Sequence, residues 1–180
     1  MRYLMNTMYS PDSASYNRPI AVPMVTPTTK FEFTFKDNGT TEGKESIKDF
    51  KKQLPYAIKP TSLILKEIME EDGVKAPPWV KLNLKFDVEA TNLYHDSQGK
   101  TAALLYETSD PRRFKLKIDY RWMKPKQKRS NMGHEFLHAI HKFSGREVSE
   151  YWTDRTVVDA FNRVGDTETA RETEKGSMYL

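Results

Sequence analysis

The chain has 180 residues, 37% of them hydrophobic, with a mean hydropathy of −0.75; that suits one domain carrying polar tails. It contains no cysteine, which excludes disulfides and thiolate zinc sites and leaves only histidine and carboxylates for a metal such as zinc. The formal charge of +4 is too mild to argue for nucleic acid, no apolar run approaches membrane-spanning length, and Met1–Asn6 lacks the apolar core of a signal peptide. A cytoplasmic protein without a membrane partner is expected, in the host cytoplasm if the source is viral.

Residues 1–29 read as an extended arm. Pro11, Pro19, Pro23 and Pro27 punctuate it, and Tyr9, Ile20, Val22 and Met24 are apolar beads able to dock on the domain or on a neighbouring copy. The domain is expected over residues 30–164. Phe31–Lys36 alternates as a strand with its three phenylalanines on one face, and Asp37-Asn38-Gly39 turns the chain. Ile47, Phe50 and Leu54 have helical spacing, and Pro55 is expected to stop that helix. Pro60-Thr61 opens a second helix bearing Leu63, Ile64, Leu65, Ile68 and Met69, with Gly73 as its C′ residue.

Val80–Val88 is an alternating strand, polar on one side and apolar on the other. Asn92–Lys100 carries turn residues, Ala102–Tyr106 returns, and Phe114–Tyr120 alternates again after Ser109-Asp110-Pro111. The expected fold class is therefore α+β, an antiparallel β-meander covered by helices. Lys124, Lys126, Lys128 and Arg129 read as a solvated basic loop. Attraction of nucleic acid to Lys124–Arg129, with Trp122 stacking on a base, is the less favoured reading. Beyond Val164 the composition turns polar, and 165–180 is expected to be a tail.

The stretch Gly133-His134-Glu135-Phe136-Leu137-His138 carries the chemistry. Two histidines four apart on a helix share one face and reach one tetrahedral Zn²⁺, and the glutamate beside the first can deprotonate a water held there. Ser130 or Asn131 is the expected N-cap. Phe136, Ile140 and Phe143 form the stripe that anchors this helix to the sheet. His141 lies roughly 10 Å from His134 along the axis and reads as a surface residue.

A third ligand is available just downstream. Gly145 ends the motif helix, Ser149 caps the next, and that helix runs from Glu150 to about Val164. Glu150 and Asp154 continue the apolar stripe of Val157, Val158 and Phe161, which is costly for carboxylates without partners. Glu150 is the favoured third ligand, with Asp154 holding the free nitrogen of a ligating histidine. The reversed assignment stays open, as does a plain helix-dipole role for Glu150.

His134-Glu135-Phe136-Leu137-His138 followed by Glu150-Tyr151-Trp152-Thr153-Asp154 resembles the zincin metallopeptidases of the gluzincin (HExxH) type. It is similar in particular to the ImmA/IrrE-like and small phage-associated peptidases, over roughly Phe114–Val164. The resemblance implies a zinc-dependent hydrolase of peptide bonds, with zinc on His134, His138 and Glu150, Glu135 as general base, and a protein or peptide substrate. Tyr120, Tyr151 and His95 are the candidates for stabilising the oxyanion, and an exposed strand edge can hold an extended substrate. The rival reading is a non-catalytic viral or assembly protein with a structural or vestigial metal site, self-associating through its arm.

Overall fold

The computed structural model describes residues 20–23, 29–71, 82–93, 101–146 and 148–177. Gly73, His95 and the arm up to Pro19 lie outside the described residues. Strand β1 (Ile20–Pro23) leads to β2 (Thr29–Lys36) and helix α1 (Thr41–Glu71), then to β3 (Leu82–Ala90), β4 (Ala103–Glu107) and β5 (Arg113–Ile118). Three helices follow: α2 (Pro125–Phe143), α3 (Glu150–Arg163) and α4 (Thr167–Ser177). The fold class is α+β.

Alternation decides which face of the sheet is apolar. Phe31, Phe33 and Phe35 of β2, Leu84, Phe86 and Val88 of β3, and Phe114, Leu116 and Ile118 of β5 are all buried. Phe50 of α1 and Phe136 of α2 pack edge-on or tilted against Phe33, with ring centroids 6.0 and 5.7 Å apart. Each such pair adds about 0.5–1.5 kcal/mol beyond its buried area. Residues of α3 and α4 in turn cover the outer sides of α1 and α2.

The sheet is not the expected antiparallel meander. Its strand order is β1-β2-β3-β5-β4; β2 and β5 run parallel to β3, and only the outer pairs β1/β2 and β4/β5 are antiparallel. The whole length of α1 lies between β2 and β3 and returns the chain to the starting edge, the connection that parallel pairing requires. Residue alternation reports the buried face and is blind to the direction of the neighbouring strand. β1 of the arm sits on β2 of its own chain, so that part of the arm is an edge strand of the domain.

Three further expectations are corrected. The two short helices are one, with Pro55 and Pro60 inside it. Each proline costs about 3 kcal/mol in a helix interior, yet the buried stripe Ile47, Phe50, Leu54, Ala57, Ile58, Ile64, Leu65 and Ile68 runs through both, and at about 1.5–3 kcal/mol per large side chain it outweighs them. The polar tail is instead α4. Gly165 (φ 85°) closes α3, Asp166 Oδ1 accepts the Thr169 N–H at 3.1 Å to cap α4, and Thr169, Ala170 and Thr173 are buried. Small residues at helical spacing give this helix a close-packing face without a hydrophobic signal.

Third, the basic loop is the first turns of α2. The helix begins at Pro125, and the Lys124 N–H donates to Gln127 Oε1 at 2.8 Å. Neither Ser130 nor Asn131 is its cap, because Pro125 already starts the helix at its most favoured position. Lys128 is buried on Asp49, and Arg129 ties Gln53, Thr169 and Asp166 together across three elements. Among the described residues no helix is long and apolar enough to cross a membrane.

Candidate metal centre

The HExxH stretch lies in the middle of α2, and Phe136 and Ile140 bury it against the sheet as their spacing requires. Phe143, at the end of the same stripe, is half-buried. Gly145 (φ 74°) ends the helix. The Arg146 N–H reaches His141 O at 2.8 Å and the Gly145 N–H reaches Lys142 O at 3.2 Å, the paired bonds of a left-handed helix stop that only glycine adopts without strain. Ser149 Oγ then accepts the Trp152 N–H at 3.3 Å and starts α3. This short return sets Glu150 and Asp154 opposite the histidines.

Gly133 sets how closely the two helices approach. A Cβ at this position would stand 3.0 Å from Phe161 Cε2 and 3.3 Å from Val157 Cγ1, both on fully buried side chains of α3. Gly133→Val is expected to push α3 outward, destabilising the fold by about 1–3 kcal/mol. Affinity for zinc should fall with it, because Glu150 moves with the helix. Thermal unfolding and a zinc titration check this; unchanged values in both would show that the spacing does not matter.

His134 Nε2 stands 2.7 Å from Glu150 Oε2, and His138 Nε2 stands 3.1 Å from Glu150 Oε1. The two Nε2 atoms are 2.9 Å apart. Two ligands of one tetrahedral zinc, each at about 2.0–2.1 Å, are separated by roughly 3.3 Å. Taking Glu150 Oε2, which is 3.2 Å from His138 Nε2, the three donors lie 2.7–3.2 Å apart, up to about 0.6 Å closer than that spacing. His134 Nδ1 donates to Asp154 Oδ1 at 2.6 Å; in the metal-free chain a second ring proton faces Glu150 from Nε2, and a metal would displace that proton and take the Nε2 lone pair. The donor set and its support therefore fit a divalent zinc. Glu150 is the more exposed of the two carboxylates and Asp154 is buried, so the ligand-like position belongs to the rim residue and the orienting one to the buried residue.

The electrostatics separate the two imidazoles. Burial works against the charged form of both. At His134 the Asp154 hydrogen bond and the charges of Glu135, Asp154 and Glu150 outweigh it and raise the pKa. At His138 burial and the neighbouring His134 prevail over Glu150, and the pKa is lowered. Glu135 is buried beside them. Desolvation, opposed by His134 and reinforced by Glu150 and Asp154, pushes its carboxyl up to about 7 in the metal-free chain.

His134, Glu135, His138, Glu150 and Asp154 line one cleft of about 1090 Å³. Its other walls are the edge strand β4 with the residues just before it (Thr101–Leu105), Trp122 and Met123, and Glu172, Thr173 and Lys175 of α4. The wall from α4 and the role of Gly133 were invisible in the sequence, the first for want of an apolar stripe and the second because its partners lie on another helix.

The remaining candidates are dispersed. His141 is buried, contrary to the expected surface position, because it continues the row of fully buried Leu137 one turn earlier; it belongs to the cleft wall and stands outside the donor group. Burial there pushes its pKa down to about 4. The Tyr120 hydroxyl is buried and donates to Asn131 Oδ1 at 2.9 Å. Tyr151 is exposed and does not line the cleft. No family model, no curated protein and no solved structure matches this chain.

Proposed function

We propose that the chain is a zinc-dependent metallopeptidase of the zincin type, acting in the cytoplasm on protein or peptide substrates. One observation carries the reading: His134, His138 and Glu150 each offer one ligand atom, and these atoms lie within 4.8 Å of one another, beside a buried glutamate and in a cleft bordered by an open strand edge.

His134, His138 and Glu150 would hold the ion, and Asp154 would fix the His134 ring. Bound zinc supplies Lewis acidity toward a carbonyl oxygen and acidifies water at neutral pH. Glu135 takes one proton from the attacking water as its oxygen bonds to the scissile carbonyl carbon, and returns that proton to the amine nitrogen as the C–N bond breaks. An extended substrate adds to β4 through backbone hydrogen bonds, which keeps the scissile bond in line with α2.

The test is metal content and metal-dependent cleavage. Protein purified without chelators should hold one zinc per chain, lose casein hydrolysis on stripping, and regain it with added zinc. His134→Ala should abolish tight zinc binding. A chain that takes up no zinc at micromolar free ion ends the reading.

One observation favours the rival, a non-catalytic viral or assembly protein with a vestigial or structural site. The same donors satisfy one another by hydrogen bonds, His134 to Glu150 and Asp154, and His138 to Glu150. That reading predicts a chain that holds no zinc, or one that holds zinc without hydrolysis.

A further inference from the structure

Asn131 occupies the helical face of α2 that carries the metal-centre candidates, one turn before Glu135, and it lines the cleft half-buried. Its Oδ1 accepts the Tyr120 hydroxyl at 2.9 Å. Tyr120 is fully buried and stacks on Phe50, ring centroids 6.2 Å apart. Burial, with Glu135 nearby, raises its pKa well above the ordinary value and keeps the O–H protonated. A protonated hydroxyl in that wall needs an acceptor, since an orphaned one costs about 1–3 kcal/mol. The amide must therefore keep its oxygen toward Tyr120, which turns the NH₂ the other way. No described residue accepts from that NH₂.

We propose that Asn131, oriented by Tyr120, is a substrate-binding residue that donates its amide N–H to a backbone carbonyl of the bound peptide; this rests on the peptidase reading above. A strand added to β4 spends only half of its carbonyls on the sheet, and the other half point across the cleft toward α2. Four helical residues rise about 6 Å, and alternate carbonyls of an extended chain are about 6.7 Å apart. With the scissile carbonyl at Glu135, Asn131 meets the carbonyl two residues away. Tyr120 acts through Asn131 and is a positioning residue.

The experiment uses the zinc-loaded full chain and an internally quenched peptide that the wild type cleaves, selected from a randomised decamer library, with truncated versions lacking the residues two from the cut on each side. Asn131→Ala should lower kcat/KM on the long peptide roughly tenfold, the worth of one hydrogen bond, with zinc content unchanged; because it also strands the buried Tyr120 hydroxyl, Tm should fall by a few degrees. Asn131→Asp, which keeps the acceptor for Tyr120 and loses the donor, should lower kcat/KM by as much without that loss of Tm. Tyr120→Phe should lower it less.

On the peptide truncated on the side that Asn131 reads, wild type and both Asn131 variants should converge within about twofold. Equal losses on long and truncated peptides, or no loss at all, would overturn the assignment while leaving the peptidase intact. A zinc-loaded wild type that cleaves no member of the library overturns the peptidase itself, and Asn131's role with it, before any variant is made.

Discussion

Glu135→Gln should abolish peptide hydrolysis, by about 10²–10⁴-fold or more, while zinc stays at one per chain. The substitution keeps the size of the side chain and removes only its capacity to take a proton. His134, His138 and Glu150 are untouched, so a loss of metal would mean that Glu135 is a ligand and that the assignment of roles is wrong.

A stability measurement on the metal-free protein tests the same residue independently of activity. Glu135 is raised from 4.5 to about 7 in the fold, first by burial. A carboxyl whose folded pKa lies above its unfolded value contributes most below the unfolded value and loses that contribution as pH rises through the folded one. The metal-free wild type should therefore weaken between pH 4.5 and pH 7, by about 3 kcal/mol if the whole shift is expressed. Metal-free Glu135→Gln should escape this particular loss, so that the variant is the more stable at pH 8 and the gap closes toward pH 4.5. Parallel pH profiles for the two proteins would show that Glu135 is not desolvated.

Asp87→Ala should be the most damaging substitution outside the cleft. On the polar face of the sheet, Asp87 receives Arg113 Nε at 2.7 Å and Nη2 at 3.0 Å, and the Thr34 hydroxyl at 2.6 Å. Asp87 and Arg113 are 6% and 5% exposed, which decides the size of the effect: an exposed pair contributes about 1 kcal/mol or less. Removing one partner of a buried pair strands a charge, and costs about 3–5 kcal/mol.

For a chain of this length that lowers Tm by roughly 10 °C. The midpoint of urea unfolding should fall with little change in slope. The double variant Asp87→Leu/Arg113→Met should recover most of the loss, because replacing both charges with apolar groups is often neutral. A single variant costing under about 1 kcal/mol would show that water reaches the pair.

Much of the local structure was legible in the residues. The alternation in Phe31–Lys36 and Phe114–Tyr120 marks strands whose phenylalanines, leucine and isoleucine are buried as a set. Gly145 and Ser149 mark the stop and start that separate α2 from α3. The 3.6-residue period put His134 and His138 on one face and Glu150 and Asp154 in register with Val157 and Phe161, and those faces meet. Whether they hold zinc is the proposal, and its test is chemical.

Other features left no such trace. Pro55 reads as a stop because its local cost is visible and the burial that offsets it is not. Residues 167–177 read as a tail because Thr169, Ala170 and Thr173 pack by being small.

Period and capping therefore determined by themselves which side chains share a face, because both depend on neighbours within one turn or one strand. Tertiary structure alone decided the parallel course of β2, β3 and β5, the approach of α3 over Gly133, the cleft wall supplied by α4, and the burial of Asp87 with Arg113. Each of these depends on what stands opposite, at a sequence separation where no local pattern reaches.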